Sequence, residues 1–164
     1  MLYYTHKLKQ RTKIMNIENI NSAIAIITRH MEANHILDMA DWQTPIGVLE
    51  NYDNEDTNIM YKETHLCGTP CCFAGYIAVS PEFQKEGGAV SPIGAPVLAD
   101  NKGESAIEYW LGITENQSKS LCGMSNVGDA YPYRQCSAVV CNIEFPDVIT
   151  ALTSLRDTGL LPGE

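Results

Sequence analysis

The sequence predicts a mainly α-helical fold: a single compact helical domain of about five helices with two long irregular loops, with room for minor β structure. Two observations lead to this expectation. Apolar residues recur at helical spacing near both ends of the chain, and helix-capping residues precede several of these segments. A chain of 164 residues that is 45 % apolar can bury one core without staples, so residues 15–164 are expected to form one domain.

The first helix is predicted to begin after Asn16, whose side chain can cap the free backbone N–H groups of a helix N-terminus. Apolar side chains follow at intervals of three or four residues as far as His35. These side chains are Ile17, Ile20, Ile24, Ile27 and Met31. They share one face of the helix, and that face is expected to pack into the core.

A cysteine-rich motif marks the second predicted helix. Three of the six cysteines, Cys67, Cys71 and Cys72, lie within six positions of one another. Thr69 is placed as an N-cap and Pro70 as the first helical residue. The helix would end at the next Ser-Pro pair, because the residue before a proline disfavours helical geometry. Cys71 and Cys72 would then lie in the first turn.

Small residues in the same motif also predict a structural role. Ala74 and Gly75, with Ala78 one turn later, leave one side of the helix nearly bare of bulk, so another element can approach its backbone closely. In this interpretation Cys67 and Cys72 are buried thiols that brace the junction from inside. The structural motif consists of Cys67, Gly68, Thr69, Cys72, Ala74 and Gly75.

Two long loops, three further helices and one segment that could be helix or strand complete the expected architecture. The loops are predicted at residues 43–64 and 81–103, which are rich in turn formers and lack a sustained period. The helices are predicted at residues 105–111, 114–122 and 146–159, and residues 135–145 are the segment that could be either, with a helix preferred. Gly112 ends the first of these, and Thr114 with Gln117 forms a capping box at the start of the second. Residues 135–145 also have the alternation of a strand.

The clustered thiols allow two chemical interpretations. A helix N-terminus favours a thiolate, so one of Cys67, Cys71 and Cys72 could be the nucleophile of a hydrolase or transferase. His65 and His35 are the sensible bases. Alternatively, four cysteines supply enough soft ligands for a tetrahedral zinc site, namely Cys67, Cys72, Cys136 and Cys141. The chain has no Cys-x-x-Cys spacing, and we expect neither a metal nor a cofactor.

Residues 131–134 form the best candidate ligand site in the sequence. Tyr131 and Tyr133 could stack on a planar group, and the Arg134 guanidinium could clamp an anion. A small nucleotide-like ligand has both features. A surface turn with partly buried tyrosines would show the same residues, so both interpretations stay open.

Charge limits the classes of partner. The chain has 11 basic and 20 acidic residues, and four of the basic ones lie in residues 1–14. We interpret residues 1–14 as a basic extension, and their lack of a clear period leaves open a disordered arm or a start assigned too far upstream. The remaining body is too acidic to favour nucleic acid or anionic lipid, and it suits a basic protein surface instead.

The sequence also predicts a cytoplasmic protein. Its first cations are not followed by the apolar segment of a secretory signal, and it has no run of about 18 apolar residues that could span a bilayer. The thiols are therefore expected to be reduced. The sequence is also compatible with a homo-oligomer.

Three segments together resemble a group of small phage and bacterial proteins. That group shows Asp-Met-x-x-Trp, Cys-Gly-Thr-x-x-Cys-x-Ala-Gly-Trp and Leu-Gly-Leu-Thr-x-x-Gln in this order, and here the segments are residues 37–42, 67–76 and 110–117. The two motif cysteines fall on Cys67 and Cys72, and Tyr76 stands in the place of tryptophan. The resemblance implies a phage-type origin but no particular mechanism.

We therefore expect a non-enzymatic, phage-type accessory protein that acts by binding. It would either mask a host protein through an acidic surface or sequester a small nucleotide-like ligand in a loop-lined pocket. Two alternatives stay open from the residues alone: a cysteine-dependent hydrolase or transferase, and a small zinc-stabilised interaction domain.

Overall fold

A computed structural model of the protein describes residues 14–37, 39, 72–91, 94–134 and 142–164. About 55 % of these residues are helical, which confirms a mainly α fold. The helices are α1 (Ile17–Glu32), α2 (Phe73–Ala78), α3 (Pro81–Lys85), α4 (Glu104–Leu111), α5 (Glu115–Leu121), α6 (Val127–Ala130) and α7 (Phe145–Thr158). The strands are β1 (Ala89–Val90), β2 (Pro96–Leu98) and β3 (Asn101–Lys102).

Helices α1 and α7 make the most extensive contact in the fold, and their apolar faces form the centre of the core. The completely buried apolar side chains of the two helices are Ile20, Ala23, Ile26, Ile27, Val148, Ala151, Leu152 and Leu155. The predicted cap of α1 is confirmed, since the Asn16 side chain accepts a hydrogen bond from the Asn19 N–H at 3.1 Å. Gly159 ends α7 in the left-handed conformation.

Helices α4 and α5 meet at a tight corner that the sequence also predicted. Gly112 ends α4 with φ of 66°, a conformation that glycine adopts without steric cost. The capping box of α5 is complete, since the Thr114 hydroxyl accepts from the Gln117 N–H and the Gln117 side chain accepts from the Thr114 N–H, each at 3.2 Å. The corner packs against α1, whose Asn16 N–H donates to the carbonyl of Leu111 at 2.9 Å.

The predicted start of the cysteine helix is corrected. Helix α2 begins at Phe73, and Cys72 is its N-cap with extended geometry (φ −76°, ψ 170°), so Cys72 does not lie in the first turn. Thr69 and Pro70 lie outside the described residues. All six residues of α2 are buried, including Ala74 and Gly75 of the predicted bare side. A helix buried on every side belongs to the core.

The second long loop is also corrected. Residues 81–103 contain α3 and a three-stranded antiparallel sheet of order β1-β2-β3, with Ala89 opposite Val97 and Val97 opposite Lys102. The Ser-Pro pair that ends α2 also starts α3, because the Ser80 hydroxyl accepts from the Phe83 N–H at 3.3 Å and Pro81 takes the first helical position. The sheet confirms the minor β content.

The described ranges hold seven helices, where the sequence predicted about five. The two additional ones are the short helices α3 and α6. The helix predicted at residues 135–145 is wrong at its end, since residues 142–144 are not helical and Phe145 already belongs to α7. Residues 1–13, 135–141 and the predicted loop at 43–64 lie outside the described residues.

No helix in the described part of the chain is both long enough and apolar enough to cross a lipid bilayer.

Candidate functional site

Of the five candidate thiols, Cys72 lies within the described residues, and so does Cys122. Cys72 is 2 % exposed and Cys122 is 4 % exposed, and both belong to the main hydrophobic core. Burial raises the pKa of the Cys122 thiol well above its usual range, and the nearby Cys72 sulfur acts in the same direction. Cys122 is therefore a protonated thiol in the core and is unsuited to nucleophilic attack.

The other thiol candidates cannot be placed. Cys67, Cys71, Cys136, Cys141 and His65 all lie outside the described residues, and so do Gly68 and Thr69 of the structural motif. Within the described ranges, no three His, Cys, Asp or Glu side chains are grouped so that they could hold a metal ion.

Both core thiols are expected to resist alkylation in the folded protein. Iodoacetamide at neutral pH should modify Cys72 and Cys122 at least ~100-fold more slowly than in denaturant, because it reacts with a solvent-accessible thiolate. Digestion and peptide mass spectrometry after a time course would give the rate of each cysteine separately. A native rate equal to the denatured rate at either residue would contradict the burial of that thiol.

Residues 131–134, the predicted ligand site, lie at an open pocket of about 290 Å³. We call it the Tyr133 pocket. It is lined by residues 130–134, by Asp147 and Thr150 of α7, and by Pro162. Tyr133 is 91 % exposed, whereas Tyr131 is 2 % exposed. Tyr133 therefore presents its ring at the surface, whereas Tyr131 is buried and supports the pocket.

Hydrogen bonds fix the segment that supports the pocket. The Tyr131 hydroxyl donates to the carbonyl of Leu121 at 2.8 Å, and burial raises the pKa of Tyr131 well above its usual range, so the hydroxyl remains a donor. The Arg134 N–H donates to the carbonyl of Tyr131 at 3.1 Å and closes the turn that carries Tyr133. The Ser120 hydroxyl accepts from the Ala130 N–H at 2.9 Å. The pocket is thus anchored to α5 on one side.

Arg134 is already held by carboxylates. Its Nη2 lies 2.8 Å from an Asp147 oxygen and 3.0 Å from a Glu144 oxygen. These two acids raise the pKa of Arg134, with Asp147 the larger influence. One guanidinium beside two carboxylates leaves this group of side chains with a net negative charge, which opposes an anionic ligand and favours a cationic one. Sequence reasoning found Arg134 but not the two acids, which reach it from ten or more positions along the chain.

A second side-chain cluster, which the sequence analysis did not predict, joins His30, His35 and Tyr76 at the C-terminal end of α1. The Nδ1 atoms of His30 and His35 are 2.8 Å apart, and the ring centroids of His30 and Tyr76 are 4.2 Å apart. The Tyr76 hydroxyl donates to the carbonyl of Ile36. The two histidines stand five positions apart across the helix terminus, where the His35 N–H donates to the His30 carbonyl at 3.1 Å. The spacing of five positions is the sign of this contact that the sequence offered.

The histidine pair shares one proton between its Nδ1 atoms, because one ring must donate and the other must accept. The pKa of His30 is lowered to about 4, first by burial and then by the charges of His35 and Arg29, while Glu82 opposes them. His30 is therefore neutral at pH 7.

We expect the free energy of unfolding to fall as the pH is lowered from about 6.5 towards 4. The unfolded chain protonates His30 near pH 6.5, whereas the folded protein does so only near pH 4, so the unfolded state binds more protons between these values. Urea unfolding at a series of pH values would measure this loss.

The matched variant for this measurement is His30→Gln, which should show a smaller slope in that pH window. Glu82 does not mask the effect, because Arg29 lowers its pKa below the usual 4.5 and its contribution is lost only at lower pH. Equal slopes for the two proteins between pH 6.5 and 4.5 would show that His30 is not the titrating group.

Comparison of the chain with protein-family models, with curated proteins and with solved structures finds no match. The site must therefore be interpreted from its own chemistry.

Proposed function

We propose that this chain is a non-enzymatic, phage-type accessory protein that acts in the host cytoplasm by masking a basic surface of a host protein. The phage-type origin is supported by the resemblance of its three sequence segments. The observation that carries the binding mode is charge. The chain contains 11 basic and 20 acidic residues, a formal net charge of −9 at pH 7.

The arrangement of the cations strengthens this argument. Among the described residues, four cations are engaged in ion pairs, and these are Arg29, Lys119, Arg134 and Arg156. Pairing neutralises much of the positive potential that would attract phosphate groups. The same pairing favours the protein-masking function over the sequestration of a nucleotide-like ligand, because Arg134, the predicted anion clamp, already has two carboxylate partners.

One acidic surface suited to this role lies at the α4–α5 corner. Glu104, Glu108 and Glu115 all raise the pKa of Lys119, with Glu115 the largest influence. Three carboxylates therefore lie around one ammonium group. Tyr109, which lies on α4 with Glu104 and Glu108, is 56 % exposed and adds apolar area to the charged surface.

Affinity capture tests the proposal. The full-length chain, immobilised and exposed to bacterial lysate at low and moderate salt, should retain basic proteins that mass spectrometry identifies. The matched control is a variant in which Glu104, Glu108 and Glu115 are replaced by glutamine, which keeps the side-chain shape and removes three charges. Failure to recover any basic protein at either salt concentration would refute the masking function.

A thermal-shift screen of nucleotides tests the ligand-sequestering alternative on the same protein. A nucleotide that raises the melting temperature, combined with an empty affinity capture, would reverse the preference stated here.

A further inference from the structure

We propose that the Tyr133 pocket receives an arginine side chain from the basic partner. This inference rests on the proposed function and assigns the chemistry of one contact within it. Its basis is the combination of a preformed pocket, a bare aromatic ring and two carboxylates on Arg134, one from Asp147 in the pocket lining and one from Glu144 beside it.

The aromatic ring supplies the first half of the recognition. Tyr133 is 91 % exposed on a turn that is closed by the hydrogen bond from Arg134 to Tyr131. Large aromatic side chains are seldom left so bare, and the face of a tyrosine attracts a cation through its quadrupole. Because the turn is anchored through Tyr131 to α5, a partner would meet a ring whose backbone support is already ordered.

The carboxylates supply the second half. Asp147 Oδ2 accepts from the Glu144 N–H at 2.7 Å as well as contacting Arg134, so Asp147 is held in place at the N-terminus of α7. The Glu144 side chain is 68 % exposed and can reach an incoming cation without leaving a buried site. A second guanidinium would therefore share the carboxylates that one arginine leaves in excess.

Arginine fits this site better than lysine. Its planar guanidinium can lie over the Tyr133 ring and still present paired N–H groups to a carboxylate, whereas an ammonium group acts as a point charge. A volume of about 290 Å³ suits one long side chain with little additional ligand. The occupant is thus one exposed arginine on a basic protein surface.

Peptide binding tests the inference. The probe is a blocked nine-residue peptide with three arginines separated by glycine and serine, titrated into the full ¹⁵N-labelled chain at low salt. The largest amide shifts are expected at residues 130, 131, 133 and 134 and at residues 147–150. The same peptide with lysine should bind more weakly.

Variants of equal charge separate the pocket from the general acidity of the protein. Tyr133→Ala should weaken the arginine peptide about fivefold, the size expected for loss of one cation–π contact at an exposed site. Tyr133→Phe should bind within about twofold of the wild type because it keeps the ring. Met124→Ala is the matched control, since it removes another exposed apolar side chain that does not line the pocket, and should bind like the wild type.

Equal affinity of Tyr133→Ala and the wild type would overturn the inference, and so would shifts centred elsewhere or no binding at all. These outcomes leave the masking function standing if affinity capture still recovers a basic host protein. An empty capture together with Tyr133-dependent peptide binding would have the opposite meaning, in which the pocket recognises arginine but the masking proposal fails.

Discussion

Replacing Gly112 with alanine is expected to lower the free energy of unfolding by about 3 kcal/mol or more. Gly112 has φ of 66°, where an L side chain is strained. A Cβ atom there would also collide with the carbonyl oxygen of Ile14 and would lie 2.9 Å from the backbone nitrogen of Asn16. Both contacts are with backbone, which cannot rotate away as a side chain could. The collision would push the start of α1 off the end of α4.

The matched control for this prediction is Gly87→Ala. Gly87 has φ of 91°, but a Cβ atom there would meet nothing within 4 Å. It should therefore show only the backbone strain, about 1 to 2 kcal/mol. Urea unfolding followed by far-ultraviolet circular dichroism measures both variants. If the two substitutions cost the same, the close approach of residues 14–16 to the α4–α5 corner does not exist in solution.

The elements that the sequence predicted are those with their own start and stop signals. Asn16, Thr114 with Gln117, and Gly159 each satisfy or end a helix through contacts within a few residues, so local sequence was sufficient. The sequence did not predict helix α3, because the same Ser-Pro pair ends α2 and begins α3, and the pair was interpreted only as the end of α2.

The sequence did not predict the sheet, for a different physical reason. Its strands are two or three residues long, too short to show alternation. The link between β1 and β2 depends on a turn in which the Ser91 hydroxyl accepts from the Ala95 N–H at 3.1 Å. Such a turn can be recognised in a sequence only when the flanking strands are already known.

The candidate site also has a part that the local sequence predicted and a part that it did not. The sequence placed Tyr131, Tyr133 and Arg134 in one segment, and in the structure all three line one pocket. It could not show that Arg134 is held by Glu144 and Asp147, because that contact depends on how α7 packs against the segment. The residues of this segment can be read from the local sequence, whereas the charge around the pocket depends on tertiary contacts.

Trp110→Ala is expected to cost about 3 to 5 kcal/mol of unfolding free energy. Trp110 is 2 % exposed and meets the Phe83 ring edge-on, with the ring centroids 5.4 Å apart. Its indole N–H donates to the Glu86 carboxylate at 3.0 Å, and Asn19 donates to its backbone carbonyl at 2.9 Å and to Glu86 at 3.2 Å. The Trp110 side chain therefore joins α4 to α3, so its loss would leave a cavity between them.

Two further variants identify the cause of this loss. Tyr109→Ala, at the neighbouring and 56 % exposed position of α4, should change the unfolding free energy by no more than about 0.5 kcal/mol. Trp110→Phe should cost about 1 to 3 kcal/mol, because it keeps most of the ring but removes the donor to Glu86. Chemical unfolding followed by circular dichroism avoids any dependence on tryptophan emission. A loss for Trp110→Ala as small as that for Tyr109→Ala would mean that α3 and α4 are not joined through this ring, and the core described for α1, α3 and α4 would have to be redrawn.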